Sequence, residues 1–506
     1  MSKFYITTAI DYVNASPHIG HAYEKICADV IARWHRALNA DVYFLTGTDE
    51  NAQKNVQAAG KAGVGTKAFV DANSMKFIEL CKKLTLSNDD FIRTTEERHI
   101  RAAQLIFKKI YEKGDIYKGF YEGCYCEGCE AFITEKELED GKCPEHHVSP
   151  KIIKEESYFF KLSKYQNDIL KLVEKEGFIE PETRRNEIIN RVKEGLNDLS
   201  VSRMGMDWGV DVPIDNSHKI YVWLDALVNY ISALSYPDGE LFKKYWPADL
   251  HLIGKGINWF HSVIWPAVLM SAEIELPKKI FVHGYVNIKG QKISKSLGNA
   301  VDPVSIIDEY GADALRYFLL REIPFGGDGD FSIDALERRF NSDLANDLGN
   351  LLNRVLTMIE KYFGGDVPEL PAENSRSILI LEETALNVSK DVLRKVEKLD
   401  FNAALIAVWQ LINCANKFIE DSKPWVLAKE NFKTLEEVIA GLFEVLRFIS
   451  ILIFPFMPQT SIKMRGQMGL GEEKAADNFV ERLVWGKTSV RVKISKGVPL
   501  FPRINK

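Results

Sequence analysis

Two histidines and a glycine near the N-terminus have the residue types and spacing of a phosphate-binding turn. His18, Gly20 and His21 follow an apolar run, residues 3–10, that is predicted to be a strand, and apolar positions then recur at helical spacing. A helix N-terminus offers N–H groups and partial positive charge to a phosphate, imidazoles can donate to the same anion, and glycine lets a nucleotide approach the backbone. Surface histidines on a turn are the commoner interpretation of this spacing alone. The position after a strand favours a nucleotide site.

A second candidate lies far along the chain, where lysine and serine alternate between Gly290 and Gly298. The residues are Lys292, Ser294, Lys295 and Ser296. Ammonium and hydroxyl donors in a glycine-bounded loop suit a triphosphate whose charge shifts in the transition state. Such a loop in isolation is more often simply solvated. Together, the two motifs predict chemistry at a nucleotide.

Four of the seven cysteines cluster in one stretch of the chain. Cys126 and Cys129 form a pair with two residues between them, and Cys143 and His146 form a second pair with the same spacing. Two such pairs supply the four tetrahedral donors of a structural zinc site, and this spacing favours a metal over a disulfide framework. We therefore predict one structural zinc ion. Cys124 and His147 stand beside these ligands and stay open as alternatives.

The elements that would position these residues follow an α/β pattern. The first strand, a helix from His21 and a strand at residues 41–49 make the crossover unit of a doubly wound parallel sheet, whose ligands bind at the carboxyl ends of the strands. We predict a Rossmann-like catalytic domain in two halves, split by an insertion that carries the zinc knuckle, then a connector and an all-α bundle with a C-terminal tail. The boundaries are 1–117 and 220–285 for the halves, 118–219 for the insertion, 286–340 for the connector and 341–506 for the bundle.

Length and composition agree with a globular protein of several domains. The chain has 506 residues, 46% hydrophobic and 27% charged, which predicts three or four domains with sizeable cores. A net charge of -6 gives no global basic field, although a local basic track would suffice for a nucleic acid. No apolar run approaches the ~20 residues that a bilayer requires, so no membrane partner is expected. The N-terminus lacks the features of a secretory signal, and we expect a cytoplasmic protein.

At this point the sequence resembles class I aminoacyl-tRNA synthetases, whose two signature motifs match residues 18–21 and 292–296. Segments 7–24, 221–230 and 252–262 narrow the resemblance to the methionyl-tRNA synthetase family, over essentially the whole chain. The resemblance implies that ATP, with Mg²⁺, activates L-methionine to an enzyme-bound adenylate, and that methionine then moves to the 3′ end of tRNA(Met). His18, His21, Lys292 and Lys295 would be catalytic. Gly20, Ser294 and Ser296 would complete the ATP site.

The resemblance also implies a methionine pocket and an anticodon site. Asp49 would bind the amino group of methionine, and the other pocket residues would be Ala9, Ile10, Tyr12, Trp223, Ala226, Tyr230, Ile257 and His261. Asn350, Arg354 and Trp425 would contact the anticodon, as single-stranded RNA recognition requires exposed donors and an aromatic face. Asn350 and Arg354 are four residues apart, on the helix edge away from the apolar positions. For this pair alone, a solvated helix face is the commoner interpretation.

The sequence departs from the family pattern at three positions near the predicted site. Asn51 and Ala52 stand where members usually have histidine and glycine, and Gly256 stands where they have aspartate. That aspartate normally pairs with the arginine that matches Arg203, so Arg203 is expected to have another partner. Two alternatives remain open: another class I synthetase, and a catalytically weakened relative that binds tRNA. We expect a monomer, because the sequence ends without an added C-terminal dimerisation domain.

Overall fold

The computed structural model describes residues 2–126, 131–133, 138–144, 148–288, 290–292, 301–371, 373–471, 479–487 and 492–504. The first elements are β1 (Lys3–Thr8), β2 (Asp11–Tyr12), α1 (Ile19–Ala37), β3 (Asp41–Asp49), α2 (Gln53–Ala62), α3 (Thr66–Lys83), β4 (Asp90–Arg93) and α4 (Glu97–Glu112). The next are β5 (Ile116–Cys126), β6 (Ala131–Ile133), β7 (Lys151–Phe160), α5 (Gln166–Glu174), β8 (Ile179–Glu180), α6 (Glu182–Lys193), β9 (Leu199–Ser200), β10 (Ser202–Met204), β11 (Asp211–Val212) and β12 (Asp215–Ile220).

Strands and helices then alternate again before the chain becomes helical. These elements are α7 (Val222–Leu227), α8 (Asn229–Ser232), α9 (Glu240–Tyr245), β13 (Leu250–Gly254), α10 (Trp265–Ser271), β14 (Ile280–His283), β15 (Val286–Ile288), β16 (Gln291–Lys292), α11 (Pro303–Tyr310), α12 (Ala312–Glu322) and β17 (Gly329–Asp330). The helical part comprises α13 (Ile333–Arg339), α14 (Asn350–Phe363), α15 (Arg376–Glu397), α16 (Phe401–Ser422), α17 (Pro424–Glu430), α18 (Phe432–Leu452), α19 (Pro458–Gln467) and α20 (Phe479–Arg482). Phe260–Ile264 and Phe340–Gly349 are π-helical.

The central sheet is parallel, and the order in which its strands are added reverses at β1. Its order is β8-β14-β13-β1-β3-β4, and β2 extends the line of β1 along the carboxyl end of β3. The chain moves from β1 to β3 on one side and later adds β13 on the other side, which opens a crevice at the carboxyl ends of β1 and β13. The predicted α/β fold with a parallel sheet is confirmed.

Residues between β4 and β13 form two small antiparallel sheets beside the central one. One sheet has the order β6-β5-β7-β9 and the other β10-β12-β11. The short strand β8 also comes from this stretch, yet it pairs in parallel with β14 at the edge of the central sheet. The sequence did not predict this strand, because two residues are too few to show the alternation of apolar and polar side chains that marks a strand.

The C-terminal helices pack around one apolar core that is continuous with the core under α1. This single cluster includes Ile26 and Val30 of α1, Leu315 and Leu319 of α12, and many side chains of α14, α15, α16 and α18. The predicted helical C-terminal part is thus confirmed, and it is not separated from the sheet by a polar boundary. Among the described residues, no helix combines the length and hydropathy needed to cross a bilayer.

A buried arginine joins the helical part to α1. Arg316 of α12 is fully buried, and its guanidinium pairs with the equally buried Asp29 of α1 at 2.7 Å. The same group donates to the carbonyl oxygens of Phe456 (2.7 Å), Pro455 (3.0 Å) and Leu84 (3.3 Å). Burial alone would raise the pKa of Asp29, but Arg316 and Arg33 hold it below its ordinary value.

Arg316→Met should lower the melting temperature of the full chain. Removing one partner of a buried ion pair leaves an uncompensated charge and costs about 3–5 kcal/mol. Thermal unfolding followed by circular dichroism measures the effect. The control is Arg394→Met, which breaks an exposed ion pair with Asp391 and should cost less than about 1 kcal/mol. Equal melting temperatures for the two variants would contradict the role of Arg316.

Candidate active site

The two histidines predicted to bind phosphate form the N-terminal cap of α1. His18 Nδ1 accepts from the backbone N–H of Gly20 (3.1 Å), and His21 Nδ1 accepts from the backbone N–H of His18 (3.0 Å). The rings stack with their centroids 3.7 Å apart. Because each Nδ1 accepts, each neutral ring carries its proton on Nε2, which is therefore the donor atom. The turn thus presents two imidazole donors at the positive end of α1.

Gly20 has a steric role in this turn. A Cβ atom at position 20 would lie 3.0 Å from Cε1 and 3.1 Å from Nδ1 of His18. A larger residue would therefore push the His18 ring away from the helix start. The sequence predicted that Gly20 lets a ligand approach the backbone, and the structure shows that it also makes room for the neighbouring imidazole.

Charged residues below this turn were missed by the sequence analysis. Asp11 and Lys25 form a buried ion pair, and His21 Nε2 lies 3.8 Å from Asp11 Oδ1. Burial raises the pKa of Asp11, against the opposing effect of Lys25. One turn along α1, Glu24 Oε2 contacts His283 Nε2 at 2.8 Å, which links the helix to the end of β14. The sequence held one indication of these contacts, because positions 24 and 25 are charged although they lie within the apolar pattern of a buried helix.

The carboxyl ends of the strands bring several predicted methionine-pocket residues together. Ala9 follows β1, and its N–H donates to the carbonyl of Leu252 in β13. Tyr12 is the pairing partner of Asp49 across β2 and β3. Asp49 is only 2% exposed. These positions meet at the switch point of the sheet, where the topology predicts a ligand.

Aromatic rings form one wall beside this point. Trp223 stacks on Phe260 with centroids 3.7 Å apart, and Tyr12 approaches Trp223 edge-on at 6.2 Å. Ile257 packs against the same cluster, and Ala226 is buried nearby on α7. Phe260 was not among the predicted residues, since it lies in an apolar run that gave no signal beyond core packing.

Tyr230 and His261 make a buried, neutral hydrogen-bonded pair. Tyr230 Oη and His261 Nε2 are 2.7 Å apart, and His261 Nδ1 lies 3.0 Å from the carbonyl oxygen of Ile257. Burial lowers the pKa of His261 to about 4 and raises that of Tyr230 well above its ordinary range. The neutral imidazole therefore donates from Nδ1 to the carbonyl, and its Nε2 accepts a hydrogen bond from the Tyr230 hydroxyl. The pair offers an uncharged surface to a ligand.

Comparison with known proteins decides the family. Residues 4–150 and 146–356 match the model of class I tRNA synthetases for methionine, and residues 368–494 match the anticodon-binding domain of methionyl-tRNA ligase. This chain belongs to the methionyl-tRNA synthetase family. It is 50% identical to the methionine–tRNA ligase of Caldanaerobacter subterraneus and 47% identical to that of Thermotoga maritima. These matches cover 99% of the chain and 79% and 80% of the two relatives.

Solved structures of the family have the same fold as this synthetase. Methionyl-tRNA synthetase of Mycobacterium tuberculosis, in complex with methionyl-adenylate, superposes with a TM-score of 0.95 at 43% identity, covering 99% of this chain and 100% of that one. The apo form from the same organism gives a TM-score of 0.87. Membership excludes the alternative that the chain is another class I synthetase.

The structure shows the surroundings of Arg203 and of two positions, 51 and 256, that depart from the expected family pattern. Arg203 donates to Ser200 Oγ (2.9 Å), lies 3.8 Å from Glu155 and packs over the Tyr221 ring. Glu155 is thus the carboxylate near Arg203, which was expected to have a partner other than residue 256. Gly256 lies in a short 3₁₀ turn between β13 and the pocket. Asn51 is buried and donates to Asp225 (2.7 Å).

Some of the residues predicted to bind ATP or zinc lie outside the part of the chain that the structure describes. Lys292 ends β16, where its backbone pairs with Asn287, whereas Ser294, Lys295 and Ser296 fall in the part not described. Cys126 at the end of β5 and Cys143 are both buried, whereas Cys129 and His146 are not described. Within the described ranges there is no group of three or more side chains able to hold a metal ion.

The three predicted anticodon residues lie on the helical part of the synthetase. Asn350 is the first residue of α14 and is exposed, Arg354 is half-buried, and Trp425 on α17 is 42% exposed. The apolar residues of this helix face inward, so the predicted orientation is confirmed. Arg354 pairs with Glu420 of α16 at 2.6 Å, a contact that the sequence did not indicate.

The depressed pKa of His261 predicts a specific pH dependence. Above pH 6.5 the ring is neutral in both the folded and the unfolded chain, so its contribution to stability is complete. As the pH falls from 6.5 towards 4 the unfolded chain binds the proton first, and this contribution is lost. NMR of the chain with ¹³C-labelled histidine, assigned with His261→Gln, should show no titration of His261 between pH 5.5 and 8. A midpoint near 6.5 would contradict the assignment.

Proposed function

We propose that the crevice at the carboxyl ends of β1 and β13 is where this methionine–tRNA ligase activates L-methionine with ATP and then charges tRNA(Met). The observation that carries the proposal is the pair of imidazole donors at the start of α1, at the switch point of the sheet. A methionine carboxylate oxygen attacks the α-phosphate, a new P–O bond forms, and pyrophosphate leaves with its electron pair. The reaction needs no protein nucleophile, and positioning with electrostatic stabilisation suffices.

The ATP site is proposed to have two parts. His18 and His21 donate from Nε2 to phosphate oxygens, while Gly20 lets the His18 ring stay against the helix start. The ammonium groups of Lys292 and Lys295 offset the negative charge that develops on the departing pyrophosphate, and Ser294 and Ser296 donate hydrogen bonds to it. Magnesium that accompanies ATP would reduce the charge on the same phosphates.

The methionine site is proposed on the other side of the α-phosphate. Asp49 binds the ammonium group, because a buried carboxylate next to Tyr12 is suited to an organic cation. The thioether packs against Trp223, Tyr230, Ile257 and His261, and Ala9, Ile10 and Ala226 complete the pocket. The neutral Tyr230–His261 pair keeps charge away from the sulfur, which prefers ring edges.

Pyrophosphate exchange tests this assignment. We expect methionine-dependent exchange in the wild type and a loss of at least a hundredfold in kcat/KM for His21→Ala, since a donor to the reacting phosphates is removed. Exchange with cysteine, leucine, isoleucine and valine serves as the specificity comparison. If the wild-type chain binds tRNA but shows no exchange, the result would favour the alternative of a catalytically weakened tRNA-binding relative. The departures from the family pattern at positions 51, 52 and 256 are the reason for that alternative.

An anticodon site is proposed on α14 and α17. Asn350 and Arg354 would donate to base edges, and the exposed ring of Trp425 would stack on an unstacked base. Glu420 already pairs with Arg354, so the guanidinium would exchange this exposed carboxylate for a base. Such surface ion pairs contribute little free energy, so replacing Glu420 by a base would cost little.

Trp425→Ala should impair tRNA charging while pyrophosphate exchange stays within about twofold of wild type. Loss of one stacked base costs about 1–3 kcal/mol, a fall of roughly 5- to 150-fold in kcat/KM for tRNA. Trp425→Phe keeps an aromatic face and is the matched control, with most of the charging retained. Equal loss of charging and exchange in Trp425→Ala would mean that the residue is structural.

A single structural zinc ion is proposed in the segment that runs from the end of β5 to β7, with ligands Cys126, Cys129, Cys143 and His146. The buried thiols of Cys126 and Cys143 fit this donor set, because a closed zinc site excludes water from its sulfur ligands. Bound zinc would cross-link the segment.

The proposed domain boundaries place this segment within 118–219, between catalytic halves 1–117 and 220–285, ahead of connector 286–340 and bundle 341–506. We also propose that the enzyme acts as a cytoplasmic monomer.

Elemental analysis of the purified chain should find about one equivalent of zinc. The double substitution Cys126→Ser with Cys129→Ser should abolish it, because two of four ligands are removed. Cys414→Ser, a change at a cysteine on α16, is the control and should retain the metal. Zinc kept by the double variant would overturn the ligand assignment, and Cys124 and His147 would then be substituted.

A further inference from the structure

Asn51 occupies a buried position where its side chain makes two hydrogen bonds. Its Nδ2 atom donates to Asp225 Oδ2 at 2.7 Å and to the carbonyl oxygen of Thr94 at 3.2 Å. Both amide hydrogens are therefore in use, and the residue is 7% exposed. A buried amide with two directional bonds fixes both its own side chain and the backbone that carries it.

The acceptor Asp225 is itself buried and lies within the proposed pocket helix. It is fully buried on α7, between Trp223 and Ala226. Its other oxygen, Oδ1, accepts from His99 Nε2 at 3.0 Å, and His99 Nδ1 lies 2.9 Å from Ser232 Oγ. Asp225 is thus held from two sides, and Asn51 supplies one of them.

The backbone of Asn51 contacts Asp49. The N–H group of Asn51 lies 3.2 Å from Asp49 Oδ1 and donates to it. The preceding residue is fixed as well, since the Glu50 N–H donates to Thr94 Oγ1 at 2.9 Å. A short path of hydrogen bonds therefore runs from α7, through the side chain and backbone of Asn51, to the carboxylate of Asp49.

We propose that Asn51 is a positioning residue for methionine, which sets the orientation of the Asp49 carboxylate towards the ammonium group by tying it to Asp225. The inference rests on the proposed role of Asp49 in binding that ammonium. Asn51 acts through Asp49 and need not touch the substrate. It also aligns the two halves of the pocket, because Asp49 ends β3 whereas Asp225 lies on the helix of Trp223.

The change Asn51→Asp removes the link with little change in volume. A carboxylate at position 51 places an acceptor against Asp225 Oδ2, where the amide now donates at 2.7 Å. Like charges at that distance repel in a buried site, so the side chain and its peptide must move. Movement of the peptide withdraws the N–H group from Asp49. An ammonium contact that is equal in the ground state and the transition state affects KM and leaves kcat nearly unchanged.

The experiment is pyrophosphate exchange with the full chain at pH 7.5. We expect Asn51→Asp to raise KM for methionine at least tenfold, while KM for ATP and kcat stay within about twofold of wild type. Inhibition by 2-hydroxy-4-(methylthio)butanoate, which has the thioether but no ammonium group, should stay within twofold. An equal rise in the inhibition constant of this analogue would mean general distortion of the pocket and would overturn the proposal.

Controls separate this inference from the proposed function. Asn416→Asp alters a half-buried amide that donates to the Asp347 carbonyl, far along the chain on α16, and should leave all these constants unchanged. Asp49→Asn should raise KM for methionine at least as much as Asn51→Asp. If only Asp49→Asn does so, the positioning role is wrong and the role of Asp49 stands. If Asp49→Asn has no effect, the proposed function of Asp49 fails and the inference with it.

Folding of the variant is checked by its melting temperature. Should Asn51→Asp fail to fold, Asn51→Leu provides the same test, because a leucine side chain of similar size cannot donate to Asp225 or to the Thr94 carbonyl. Its KM for methionine should rise by more than twofold with KM for ATP unchanged. A wild-type KM for methionine in this variant would overturn the proposal.

Discussion

The candidate active site depends on how α1 is held, and the buried ion pair of Arg316 with Asp29 fixes this helix to the helical part of the chain. An arginine buried with an aspartate is tolerated only when every donor finds an acceptor, because the desolvation of two charges is expensive. Here the guanidinium meets Asp29 and three backbone carbonyls, two of which, at Pro455 and Phe456, lie in the turn after α18. The helix that carries His18 and His21 is thereby fixed to the helical part of the chain.

The same helix concentrates the other buried charges of the site. Lys25 pairs with Asp11 at the start of β2, and Glu24 pairs with His283 at the end of β14. Both pairs lie within one turn of His21, on the side that faces the sheet. The helix therefore carries donors at its tip and ion pairs along its buried face, and the strands on either side of the switch point are set by these contacts. A shift of α1 would disturb the imidazole pair and both strand ends together.

Local patterns explain which features the sequence predicted. The strand and helix around His18, the parallel sheet and the inward face of α14 follow from periodicities within a few residues, and all were predicted. Contacts between distant residues left no such signal. Asn51 and Asp225 are far apart in the chain, and Asn51 was noticed only as a departure from the family pattern; its bond to Asp225 becomes visible in three dimensions. Phe260 was hidden for another reason, since an aromatic residue in an apolar run is expected to be core.

The continuous apolar core between α1 and the helical part limits how the chain can be divided. Leu315 and Leu319 of α12 pack in one cluster with Ile26 of α1 and with the long helices that follow. A cut at the predicted boundary near residue 340 would expose the apolar faces of both fragments to water. Neither fragment would then be an independent folding unit, although each contains complete secondary structure. Recombining parts from two relatives at this boundary would accordingly require matched side chains on both sides of the shared core.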